Sequence, residues 1–153
     1  MILISACLAG LEVRYNGTHC KNEALLDLIK TSNVMSVCPE VLGGLLTPRE
    51  PAEIVGGDGQ AVLDGTAKVI SMTGQDVTDN FIKGAYATLK RAQELNVSMI
   101  ILKENSPSCG SSMIYDGTFS GSKVVGNGVT AALLKRNGIK VFSEENYAKT
   151  EKS

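Results

Sequence analysis

The chain has no tryptophan and only one histidine, His19, among its 153 residues. A catalytic triad built on several histidines is therefore excluded. Long apolar runs are missing too, since no window reaches the roughly 18 apolar residues of a membrane span. The opening Met1–Cys7 is apolar but too short for a signal peptide, and it has no basic region ahead of it. Neither sign of charge dominates, with 15 Lys+Arg against 16 Asp+Glu and a formal net charge of −1. No basic stripe favours nucleic acid and no acidic tail is present. These absences predict a cytoplasmic protein, bound to neither membrane nor nucleic acid, that acts on a small, weakly charged molecule.

What is present suits one folded domain over residues 1–153. Hydrophobic content is 43% and charged content 20%, which argues against disorder. Residues 2–6 read as a buried parallel strand. Residues 22–30 carry Leu25, Leu28 and Ile29 on one helical face, with Asn33 suited to a helix exit. Val34–Val37 reads as a second strand ending at Cys38. Pro39–Gln60 is rich in Gly and Pro and reads as a long non-repetitive stretch, a kind of segment that is usually functional or disordered. Ala61–Leu63, Asp64-Gly65 and Ala67–Ile70 predict a small hairpin with a type I′ turn.

A helix is expected from Asp76 or Thr78 to about Leu95, with Phe81, Ala85, Leu89 and Ala92 forming its apolar stripe. Val97–Leu102 is the clearest strand. A last helix near Val129–Arg136 stops at Asn137-Gly138, before a strand at Ile139–Phe142. Alternating strands and helices predict an α/β, Rossmann-like three-layer fold with a mostly parallel sheet and a small hairpin excursion. There is no internal repeat and no low-complexity segment.

Four cysteines in a reducing compartment point away from disulfides and toward metal binding or catalysis. Cys7 follows the first strand, Cys38 the second, and Cys109 the strand at 97–102. Open α/β sheets bind ligands beyond the carboxyl ends of their strands. Neighbouring strands lie about 4.8 Å apart, so three strand ends can bring three thiols within roughly 10 Å of one another. Spacing alone does not argue for this, because gaps of 31 and 71 residues match no compact ligand motif. Taken singly, a cysteine most often packs as a small hydrophobe; three at one sheet edge, each beside Gly or Pro, favour a shared site. Cys20, in Asn16–Cys20, precedes the first helix and stands apart as a possible fourth ligand.

The segments around these cysteines are distinctive. They are ACLxG at Ala6–Gly10, CPExxGGLxTPRxPAE at Cys38–Glu53, KExSPSCG at Lys103–Gly110, and YDGTFSG at Tyr115–Gly121. Over about Ile2 to Val141 the chain resembles a family long catalogued as a domain of unknown function, whose characterised members include thiouracil desulfidase. Ala9 replaces the usual Leu and Asn16 a common Asp, and neither change removes a proposed ligand. The resemblance implies a [4Fe–4S] cluster held by Cys7, Cys38 and Cys109. Clusters of this type usually have four thiolate ligands, so three leave one iron open to the sulfur of a thioamide substrate. It implies non-redox hydrolysis of C=S in a thiolated pyrimidine or a similar molecule.

Such chemistry needs a proton shuttle. Glu40, two residues from Cys38, is the first candidate and Glu104 the second. Ser106 and Ser108 are candidates to orient water or bind the heterocycle; the plainer reading of both serines is turn formation. Glu40 also has a plain reading, as a loop carboxylate capping an amide or pairing with Arg49. Arg14 and Arg49 suit either an anionic site or a structural pair. The Tyr115–Gly121 loop is, by resemblance, a pocket wall, while Asp116-Gly117 by itself is a turn. Gly126-Asn127-Gly128 opens the last helix and offers a weak phosphate cradle. Two competing readings remain: a zinc module using the three cysteines with His19 or Cys20, and a metal-free small-molecule binding domain.

Overall fold

The computed structural model describes residues 2–5, 34–45, 50–97, 99–103, 107–111 and 113–143. Four strands form the main sheet: β1 (Ile2–Ser5), β2 (Val34–Val37), β5 (Met99–Leu102) and β8 (Lys140–Ser143). Their spatial order is β2-β1-β5-β8 and every pairing is parallel. Ile2 pairs with both Val34 and Met99, and Ile100 with Val141. Leu3 and Ile4 project to opposite faces of β1, and both are fully buried, as are Ile100 and Ile101 of β5. Both faces of the sheet are therefore covered, which is the condition that parallel sheets meet.

Two helices lead into β5 and β8 from behind. Helix α3 (Thr78–Glu94) precedes β5, and α4 (Val129–Arg136) precedes β8. Phe81, Ala85, Leu89 and Ala92 are buried as the apolar stripe predicts. The Asp76 carboxylate accepts the Thr78 N–H at 2.9 Å and starts α3. Asn96 ends it with a φ of 52°, the left-handed residue that commonly closes a helix. In α4, Val129 to Leu134 are all buried, so this short helix is wrapped on every side. It stops at Asn137-Gly138 as expected. The strands before and after shift slightly from expectation: Val97 donates back to the Ala92 carbonyl and Ile139 to Leu134, so each residue closes a helix rather than opening a strand.

The segment 39–71 departs from its sequence reading. Pro39–Gln60 is not one irregular stretch. It contains α1 (Pro39–Leu42) and β3 (Ala52–Val55). The expected hairpin at 61–70 is absent. Gly59–Leu63 is helix α2, started by Asp58, whose carboxylate accepts the Ala61 N–H at 3.1 Å. Asp64-Gly65 is then a helix stop instead of a hairpin turn. Lys68–Ser71, here β4, pairs antiparallel with β3, Ala52 opposite Ser71 and Val55 opposite Lys68.

A second antiparallel pair, β6 (Met113–Tyr115) and β7 (Lys123–Val125), forms a true hairpin. Lys123 Nζ lies 5.7 Å from the centre of the Tyr115 ring across it. The helix expected at 22–30 falls outside the described residues. No helix among the described residues is long and apolar enough to cross a membrane.

Candidate functional site

From β1 the sheet grows outward in two directions, to β2 on one side and to β5 then β8 on the other. The β1/β5 boundary is thus the switch point, beyond whose carboxyl ends a crevice is expected. Because α3 and α4 each run into the start of a parallel strand, their N-terminal ends lie at this carboxyl edge.

Cys38 is the residue after β2 and the N-cap of α1, with Pro39 at the first helical position. Its residue is half-buried. The short helix it opens is pressed onto α3 backbone to backbone. A Cβ added at Gly43 would fall inside the Asn80 carbonyl, and one at Gly84 inside the Pro39 carbonyl. Only glycine fits either place. Asn80 Nδ2 also donates to the Gly43 carbonyl at 2.9 Å. Glu40 lies in the first turn of α1, half-buried, and its carbonyl accepts the Leu45 N–H at 3.1 Å.

Cys109 is held differently. It is buried, at 4% exposure, in the loop Pro107–Ser111 beyond β5. The N-terminal amides of α4 supply that loop's hydrogen bonds. Val129 donates to the Pro107 carbonyl at 2.8 Å, Thr130 to Ser108 at 2.8 Å, and Gly128 to Gly110 at 2.7 Å. These are donors that a helix start cannot satisfy internally. The Ser108 and Thr130 hydroxyls, both buried, lie 2.9 Å apart in a further bond. A Cβ at Gly128 would stand 2.5 Å from the Ser108 oxygen and 2.8 Å from the Cys109 nitrogen. Lys135 Nζ donates to the Ser111 carbonyl and to Asn127 Oδ1, each at 2.6 Å. At the phosphate cradle considered for Gly126–Gly128, the amides of Gly128, Val129 and Thr130 are taken by the cysteine loop.

The β6–β7 hairpin leaves this same loop and returns to it through Gly128. Its tip rests on Glu53, a residue 8% exposed, whose Oε1 accepts the Gly117 N–H at 2.9 Å and the Phe119 N–H at 3.2 Å. Asp116 accepts the Thr118 hydroxyl at 2.5 Å and its N–H at 3.0 Å. Those two bonds hold the Asp116 carboxyl below its ordinary pKa, the hydroxyl having the larger effect.

Of the proposed site residues, Cys38, Cys109, Glu40 and Ser108 are placed. Cys7, Ser106, Glu104, Cys20, His19, Arg14 and Arg49 lie outside the described residues. Among the described residues no three His, Cys, Asp or Glu side chains gather as a metal-holding group. Asn80, Glu53 and Thr130 were not singled out from sequence as site residues, although they hold the loops. A threonine two residues after Gly128 in a first helical turn was the available signal for Thr130.

Taken together, the features describe an open α/β protein that presents cysteine-bearing loops at the switch-point edge of a parallel sheet. The comparisons agree. Residues 2–146 match the model of the 2-thiouracil desulfurase family, and the chain belongs to that family. It is 57% identical over 144 residues to an uncharacterized protein of Bacillus subtilis (strain 168), YbbK, covering 94% of this chain and 95% of the relative. Among solved structures it is similar to a [4Fe–4S]-dependent thiouracil desulfidase, TudS. That match has 41% identity and a TM-score of 0.84, covering 97% of this chain and 93% of the other.

Proposed function

We propose that the chain is a [4Fe–4S]-dependent desulfidase that hydrolyses the C=S bond of a small thioamide, such as a thiolated pyrimidine, to C=O and sulfide. The observation that carries this reading is the placement of Cys38 and Cys109 on the same carboxyl edge, in loops whose backbones tolerate only glycine at their supports. The donor set suits the group, since soft thiolates are the usual ligands of iron–sulfur clusters. Cys38 and Cys109, with Cys7 two residues beyond β1, are the three holding residues. When bound, the cluster supplies a Lewis-acidic iron for the substrate's sulfur.

The chain's own groups manage the proton and the water. Glu40, carried in the turn that Cys38 opens, takes the proton from the attacking water and delivers it to the departing sulfide. Ser106 orients the heterocycle, and Glu104 is the second candidate for proton transfer. Ser108, 1% exposed and bonded to Thr130, is better suited to holding the loop than to touching substrate.

Anaerobic reconstitution followed by iron analysis and a screen of thioamides for sulfide release tests the proposal. About four irons per chain and sulfide release without an added reductant are expected. Stoichiometric zinc in place of iron, or iron without sulfide release from any thioamide, would sink it. Glu40→Gln is expected to keep the iron and lose sulfide release by about 10²-fold or more; an active variant removes Glu40 from the mechanism.

A further inference from the structure

We propose that Thr130 is a positioning residue that sets Cys109 in place for its ligand role. The inference rests on the desulfidase reading for its purpose, but its physical content concerns the loop alone. Thr130 meets Ser108, the neighbour of Cys109, twice: its N–H donates to the Ser108 carbonyl at 2.8 Å and its hydroxyl lies 2.9 Å from the Ser108 hydroxyl. Thr130 is fully buried and Ser108 is 1% exposed. Neither hydroxyl can exchange this bond for water without opening the loop. Such a pair fixes a rotation as well as a position. Two contacts from one residue, spaced along the Ser108 backbone and side chain, restrain the peptide leading into Cys109, with the Ala131 N–H also donating to the Ser108 carbonyl at 3.2 Å.

The second cysteine provides an internal reference. Cys38 is supported by α3, through Gly43, Gly84 and Asn80, whereas Thr130 bonds to Ser108. A defect made at Thr130 should therefore reach Cys109 and spare Cys38. Removing the bond between the two buried hydroxyls costs about 0.5–1.5 kcal/mol. If that cost is relieved by local opening, the open loop becomes about tenfold more populated for each 1.4 kcal/mol.

Thr130→Val removes the hydroxyl and keeps the shape; Thr130→Ser keeps the hydroxyl. The metal-free protein, reduced and under anaerobic conditions, is treated with iodoacetamide, and the modification rates of Cys38 and Cys109 are read by mass spectrometry. In Thr130→Val, Cys109 is expected to react about tenfold faster with Cys38 unchanged, and in Thr130→Ser both rates should match the parent. The reconstituted Thr130→Val protein should also lose iron to a chelator about tenfold faster, and Thr130→Ser should restore the parent rate. Should Thr130→Val not fold, Ser108→Ala removes the other hydroxyl and must give the same Cys109-selective acceleration.

Equal Cys109 rates in the parent and folded variants, or equal acceleration at both cysteines, would overturn the role. A parent protein that takes up no iron would instead defeat the desulfidase reading, while the alkylation comparison would still decide the role of Thr130.

Discussion

Cys38 and Cys109 reach the same edge of the sheet through supports of different balance, each with a glycine at a close approach. The turn after β2 is held by exclusion: glycines at 43 and 84 let two backbones touch, and one amide side chain adds a hydrogen bond. The loop after β5 is held by donation, its carbonyls taking the amides that α4 cannot use internally. Close packing fixes how near two backbones lie, whereas hydrogen bonds also fix their direction. The half-buried Cys38 and the buried Cys109 fit that difference.

The largest effects should come from the thiols themselves. Cys38→Ser and Cys109→Ser are each expected to lower retained iron and sulfide release by at least about a hundredfold, because even outer-shell changes at metal sites cost roughly 10–100-fold. Full iron content in either variant would remove that residue from the ligand set.

Next come the supports, where the two regions can be told apart. Gly84→Val drives side-chain atoms into the Pro39 carbonyl and should destabilise the fold by about 3 kcal/mol in urea unfolding. It should hasten modification of Cys38 more than of Cys109. Gly128→Ala presses on the Ser108–Cys109 peptide with a smaller group and should cost about 2 kcal/mol, with the reverse order of reactivity. If both substitutions accelerate both thiols equally, the supports are not independent.

Removing the single amide bond at Asn80→Ala should cost only about 1 kcal/mol and leave iron content unchanged. A loss of iron there would mean that the Cys38 turn depends on bonding after all. The smallest effect is reserved for Cys20→Ser, expected to leave iron content and sulfide release at the parent level. Loss equal to that of Cys38→Ser would make Cys20 a ligand.

Much of this arrangement could be read from the sequence because local signals agreed with the fold. The stripe Phe81, Ala85, Leu89 and Ala92 marked α3, Asn137-Gly138 marked the end of α4, and Val34–Val37 ended in the right place for Cys38 to follow a strand. The hairpin at 61–70 failed because Asp64-Gly65 serves equally as a I′ turn and as a helix stop. Asp58, three residues before Ala61, was the deciding cap. Strand β3 was hidden since four residues between Pro51 and Gly56-Gly57 carry too little periodicity to register. The roles of Gly43, Gly84 and Gly128 depend on which backbones meet across the fold, and no local pattern encodes that. Ser108 shows the same limit. A serine beside a cysteine reads as a site residue, and only the tertiary position of Thr130 shows where its hydroxyl goes.

The order of the strands has a consequence for how the protein comes into being. β1 takes β2 from nearby in the chain, but its other neighbour, β5, is emitted by the ribosome only after two-thirds of the sequence has been made. A nascent chain therefore carries Cys38 for a long interval with no Cys109 to accompany it, and parallel pairing over such separations is slow. The two cysteine-bearing loops therefore come to a common edge only once β5 has been made and has paired with β1.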